Sequence, residues 1–140
     1  MKKVISTLLV LAIVVCLPLA ATAAPSQYKI TVSYTAKMLS NDHVGNSWAT
    51  WGAIGDTALK KGKAVTVTVA ADGTLTVICT AQEKDKTPDT GSCEFKLAVG
   101  DLKAGKNTIK QTATVTEDKG RYAGNKAQWE FTLTVTKKAA

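Results

Sequence analysis

The chain has 140 residues, 45% of them hydrophobic and 21% charged, with a formal net charge of +7. That is the size of one ordinary domain, with enough apolar material for a single core. The basic excess is modest and interspersed with acids, which argues against a nucleic-acid groove, where Lys and Arg would gather on one stripe among stacking aromatics.

Met1-Lys2-Lys3 is a short positive head, and Val4 to Leu19 is an almost unbroken apolar run. Ala21-Thr22-Ala23 then supplies the small-x-small pattern that signal peptidase cuts. The run is too short, and ends in the wrong way, for a membrane span. Residues 1–23 therefore read as a secretory signal and 24–140 as the mature domain, with no transmembrane segment of its own. A secreted location follows, extracellular or at the cell surface, with the periplasm also open. Losing Lys2 and Lys3 lowers the net charge to +5. A lipoprotein reading at Cys16 is disfavoured, because Val15 stands where a small residue is needed.

Beyond the leader the hydrophobic period is two almost throughout, and Val, Thr and Ile dominate, as half-buried strands require. Tyr28, Ile30, Val32 and Tyr34 alternate with polar residues, followed by a weaker strand near Trp48 to Ile54. Val65, Val67 and Val69 repeat the pattern, then Leu75, Val77, Cys79 and Ala81, then Cys93, Phe95, Leu97 and Val99. Ile109 to Val115 is a poorer copy, and Trp129, Phe131, Leu133 and Val135 the clearest. About seven short antiparallel strands without a helical window predict an all-β fold, a single two-sheet sandwich. Face matching between the third and fourth of these predicts a hairpin. A three-residue Ala71-Asp72-Gly73 loop would pair Val69 with Leu75, with Gly73 left-handed in a bulge turn.

Cys79 and Cys93 are the two cysteines left after the leader. An even pair in an exported domain reads as one disulfide, closing a loop of about 15 residues and contributing roughly 3 kcal/mol. Two buried thiols or half of a metal site are the competing readings, the latter lacking CxxC spacing or a nearby His.

Leu102-Lys103-Ala104-Gly105-Lys106-Asn107-Thr108-Ile109 resembles the "L-x-x-G-x-N-x-I" corner of bacterial immunoglobulin-like modules. In those modules a strand, an acidic turn and a "G-N" step usually precede the final strand. Here Ala113 to Asp118 is followed by Ala123-Gly124-Asn125 and then Trp129 to Val135. The resemblance covers roughly residues 93–137, and it implies an immunoglobulin-like, exported, often surface-associated binding fold. The cysteine spacing departs from antibody domains, where the bridge joins the two sheets. The segments Asn41 to Asn46 and Pro88 to Gly91 also resemble small exported bacterial proteins of unassigned role, which brings no activity.

Three groups of residues are candidates for chemistry. Trp48 and Trp51 are three apart on a strand and so face opposite sides. With Trp48 inward, Trp51 stands beside Ala49 and Ala53 as a platform for a sugar ring or a partner side chain, unless the loop expected at 37–47 covers it. Loops at 84–92 and 118–126 should share one end of the sandwich, gathering Glu83, Asp85, Asp89, Glu117 and Asp118. Calcium needs about six to eight oxygens, and such a cluster is a candidate metal site. Lys84, Lys86, Lys119 and Arg121 interleave it, so a solvated, salt-laced rim is the simpler account. Arg121, Tyr122 and Asn125 in the last loop are candidate ligand-binding residues, the alternative being a Tyr122 that covers the open end of the core.

No nucleophile motif accompanies His43, the one histidine, and the glycines fall at turns rather than in phosphate loops. The sequence therefore predicts a non-catalytic binding or adhesion module without an obligate cofactor, whose partner is an extracellular protein or polysaccharide. A calcium-stabilised structural domain and a small secreted inhibitor or effector are the alternatives.

Overall fold

Alternating burial along each strand divides its side chains between one interior and the solvent. The computed structural model describes residues 23–140, so all of the expected leader but its last residue lies outside the described residues. Eight strands follow in order: β1 (Gln27–Asn41), β2 (Trp48–Ile54), β3 (Thr57–Leu59), β4 (Val65–Ala70), β5 (Thr74–Glu83), β6 (Thr90–Ala98), β7 (Gly105–Thr116) and β8 (Lys126–Ala139). They form two antiparallel four-stranded sheets, β4-β1-β8-β7 and β3-β2-β5-β6. No helix among the described residues is long and apolar enough to cross a membrane.

The all-β sandwich expected from the periodicity is thus present, with one strand more than anticipated. The extra strand, β3, is short and pairs only with β2, through Gly52↔Leu59 to Ile54↔Thr57. Residues 37–41, expected in a loop, continue β1 instead. The pairing of β1 with β8 runs from Tyr28↔Ala139 to Asn41↔Ala127, with a bulge at Met38/Ser40.

The core lies between the sheets. Ile30, Val32 and Tyr34 on β1 and Phe131, Leu133 and Val135 on β8 meet Val77 and Cys79 on β5 and Phe95 on β6, all buried. The Tyr34 and Phe131 rings pack tilted at 5.9 Å. At about 25 cal/mol per Å² of apolar surface removed from water, this two-sided burial is the main stabilising term.

Two expectations are corrected. The hairpin between Val65–Val69 and Leu75–Cys79 does not form: β4 pairs with β1 as a sheet edge, whereas β5 lies between β2 and β6. Ala71 to Gly73 instead carries the chain from one sheet to the other. Gly73 N donates to Ala70 O at 3.0 Å, and Val99 N to Gly73 O at 2.9 Å. Gly73 is not left-handed; its role is spatial, since a β-carbon there would sit 2.8 Å from Val69 Cγ1. Face matching failed because a sandwich has two inward faces, and a strand may complete either.

The expected disulfide is also absent: Cys79 and Cys93 are free, buried thiols, and the pair is not at bonding distance. They oppose each other directly across β5 and β6. Ladder geometry holds opposed β-carbons about 4.5–5.5 Å apart, wider than the roughly 3.5–4.5 Å a bridge uses. Both side chains do point into the core, as their face pattern requires.

The Leu102–Ile109 corner is built by one side chain. Asn107 Nδ2 donates to Lys103 O at 2.9 Å and Gly105 O at 3.2 Å, while its Oδ1 accepts from Lys103 N at 3.0 Å. Lys137 Nζ then ties the final strand to the same crossing, donating to Val99 O at 2.6 Å and Leu102 O at 3.1 Å.

Candidate functional site

Strand direction decides what meets at the end of the sandwich. Asn41↔Ala127, Thr116↔Lys126, Trp48↔Glu83 and Gln82↔Thr90 close their ladders at one rim. The β1–β2, β5–β6 and β7–β8 connections therefore converge there, two of them as the sequence anticipated. Between them lies a cleft of about 630 Å³, whose walls include His43, Gly45, Glu83, Asp85, Glu117 and Tyr122.

The β1–β2 loop is held by its own polar groups. Asn41 Oδ1 accepts from Val44 N at 3.0 Å, and Asn41 Nδ2 donates to Gly45 O at 2.6 Å. Trp48 Nε1 donates to the same carbonyl at 3.2 Å, while its ring packs on Trp129 at 5.5 Å. Val44 is buried and anchors the loop to the core. His43 has left-handed backbone, φ 55°, and its ring stacks on Tyr122 at 5.3 Å and 17°. Its Nδ1 is 3.0 Å from Asp42 Oδ1.

Tyr122 comes from the β7–β8 turn, which is closed by Gly124 N to Glu117 O at 2.8 Å and Asn125 N to Tyr122 O at 2.9 Å. It is 43% exposed, so it does not cap the core. Arg121 stands with Cζ 5.7 Å from the Tyr122 ring centroid and also borders the cleft. Asn125 serves the turn through its backbone, its carbonyl accepting from Glu117 N at 2.9 Å, and its side chain does not line the cleft.

The acidic residues share this end, but they do not build the expected metal site. Among the described residues no group of three or more His, Cys, Asp or Glu is arranged to hold a metal ion. Asp89 turns inward, is buried, and accepts from Asp118 N at 3.3 Å. Asp85 accepts from Thr87 N at 2.6 Å. Glu83 is only 3% exposed, and its Oε2 has no hydrogen-bond partner among the described residues. Each carboxylate answers to a different local demand, so their oxygens do not converge on one point.

Proximity still shows in their acidity. Burial, then the charges of Asp85 and Glu117, push the Glu83 carboxyl above its ordinary value. Desolvation, followed by Asp89, Asp85 and Asp118, raises Glu117 as well. Lys119 and Arg121 line the same cleft, yet no ion pair among the described residues joins either to these carboxylates.

Trp51 lies away from the cleft, on the outer face of the β3-β2-β5-β6 sheet. It is 40% exposed, uncovered by any loop of the described residues, and Ala49 and Ala53 share its face as the spacing required. Ile78, 44% exposed and opposite Ala53, extends the apolar strip and was not anticipated. Its signal was visible: Ile78 breaks the alternation of β5 by standing apolar at an outward position. His43 as the partner of Tyr122 carried no sequence signal, since the two are joined only by the fold.

No family model matches the chain, and no curated protein matches it.

Proposed function

We propose that this chain is an exported, non-catalytic binding module of immunoglobulin-like type, which recognises its ligand at the loop end of the sandwich. Export rests on the Met1–Ala23 leader, and the immunoglobulin-like assignment on the Leu102–Ile109 corner with its Asn107 clamp. One observation carries the reading. Loops from both sheets close on a cleft of about 630 Å³ with an exposed, pre-positioned Tyr122 at its mouth. Tyr on an anchored loop supplies large contact area at little ordering cost, and both Tyr and Arg are enriched where recognition surfaces concentrate their binding energy.

The supporting chemistry is that of binding. His43 is engaged by Asp42 and stacks on Tyr122, which fixes the rim of the cleft. Tyr122, Arg121 and the cleft walls make the primary site, and the partner is an extracellular protein or polysaccharide. Trp51 with Ile78 favours a second contact surface on the flat sheet, suited to stacking on a sugar ring.

The test is capture from the extracellular material of the source cells on immobilised protein. Wild type is expected to retain one ligand that Tyr122→Ala and Arg121→Ala lose. Equal capture by these variants and by wild type would remove the cleft from recognition. Loss with Trp51→Ala alone would move the site to the sheet face.

A further inference from the structure

The cleft wall contains a hydrogen-bond demand that the protein does not meet. Glu83 is more than nine-tenths buried, its Oε2 has no partner among the described residues, and it lines the cavity. A buried carboxyl oxygen without a donor is costly, so such groups are kept where something else satisfies them. The carboxylate is not there by slack packing. Its Cγ and Cδ would lie 2.6 Å from any β-carbon on Gly45, and that position is glycine. The loop closes on Glu83 because residue 45 has no side chain.

Asp85 and Glu117 stand in the same wall, close enough for their charges to add to burial in raising the Glu83 carboxyl. Three carboxyls in one cavity invite positive charge. The protein's own cations do not supply it, since Arg121 lies over the Tyr122 ring and forms no ion pair with them among the described residues. A metal ion would need oxygens converging within one coordination radius, and none of the described acidic groups is so arranged. An organic cation has the opposite requirement: its donors are spread over several ångströms and directions, matching separated acceptors. The exposed part of the Tyr122 ring at the rim adds apolar surface for its stem.

Resting on the reading of this cleft as the recognition site, the geometry points to an alkylammonium or guanidinium group as its ligand. The cation sits against Glu83, Asp85 and Glu117, with its stem along Tyr122. The side chain of a lysine or arginine on a protein partner and a free polyamine share this chemistry.

The experiment is titration of the protein at pH 7, followed by backbone and side-chain chemical shifts, with four small probes: n-butylamine, butylguanidine, n-butanol and calcium chloride. The two cations are expected to shift Gly45, Glu83, Asp85 and Glu117, and the isosteric alcohol to leave them unmoved. Glu83→Gln should weaken the cations at least tenfold. Glu117→Gln, in the β7–β8 connection, should weaken them too, which keeps the test open if the first variant fails to fold. Spermidine and a tetralysine peptide then separate the two sources by which binds more tightly. Equal response to n-butanol, saturation of the same shifts by calcium, or silence with both cations would overturn the inference. Captured extracellular ligand that depends on Tyr122 but is not displaced by saturating butylamine would defeat the cation assignment alone. Capture indifferent to Tyr122→Ala would instead defeat the recognition cleft.

Discussion

Glu83 lies with its carboxylate against the α-carbon of Gly45, at a separation that leaves no room for a β-carbon between them. Gly45 also has φ +139°, a backbone region that side-chain-bearing residues rarely adopt. Two independent penalties therefore fall on Gly45→Ala, one from backbone conformation and one from the displaced carboxylate. The expected loss is about 1–3 kcal/mol, read from the urea midpoint. Trp48 offers a local reporter, because its indole donates to Gly45 O at 3.2 Å. A variant of unchanged midpoint and unchanged indole emission would show that the loop yields without cost.

The acidity of Glu83 makes a second prediction, of definite sign. Its folded-state carboxyl is raised by burial and by Asp85 and Glu117, whereas the unfolded chain titrates near about 4.3. The native state thus holds this proton more tightly than the unfolded state does. Its contribution is fully present below that value and is lost as pH rises through the folded-state pKa. Glu83→Gln keeps the shape and removes the titration. The difference in melting temperature, variant minus wild type, should grow in the variant's favour between about pH 4 and pH 7. A difference that shrinks over that range would mean that the carboxylate is stabilised, not strained, by its surroundings.

Cys79 and Cys93 supply the third. Burial, with Cys93 alongside, pushes the Cys79 thiol up to about 12, and burial pushes Cys93 up to about 11. Thiolate is the nucleophile, so both should resist iodoacetamide at pH 8 in the native protein and react together in denaturant. Mass after each treatment counts the modified thiols. The same shifts predict alkaline weakening: unfolded thiols ionise near about 8.5, so stability present below that pH falls progressively towards 11–12. Absence of alkylatable thiols after denaturation without reductant would show the pair bridged.

The sequence carried the layers well and the partners poorly. Period-two alternation named the inward residues of Phe131, Leu133 and Val135 and sent Trp51 outward, because pleat geometry acts on each strand alone. It placed the acidic loops at one end, since antiparallel alternation is nearly the only short-loop solution. It misassigned the mate of β4, because Val65, Val67 and Val69 satisfy either sheet equally and only the whole fold chooses. It proposed a bridge from an even pair of cysteines in an exported domain, whereas the strand register sets the actual separation. The acids suggested a metal by type, but their orientation depends on Gly45, Thr87 and Asp118 N, contacts that composition does not show. Tyr122 was legible as a loop aromatic, and its stacking on His43 was not, for the two lie on unrelated connections.

Gly91 gives the fourth prediction, and it concerns what keeps the cleft in shape. It lies near the start of β6, buried, at the seam where that edge strand passes β7 of the other sheet. A β-carbon on Gly91 would fall 2.6 Å from Thr114 C and 2.9 Å from Val115 N. These are backbone atoms inside a paired strand, so they cannot rotate away as a flexible side chain would. Gly91→Ala must then part β6 from β7, at about 1–3 kcal/mol for an overpacked site. Gly100→Ala is the matched control, because its nearest neighbour is Ala71 O at 4.0 Å and its backbone is not left-handed. It should be neutral or slightly stabilising, since removing a glycine chiefly lowers the entropy of the unfolded chain. The seam also fixes the β5–β6 loop beside the β7–β8 loop, so Gly91→Ala should perturb the chemical shifts of Asp85 and Glu117 even where the fold survives. Equal urea midpoints for the two variants would show that the sheets are held apart at this edge and that the cleft draws its shape from the loops alone.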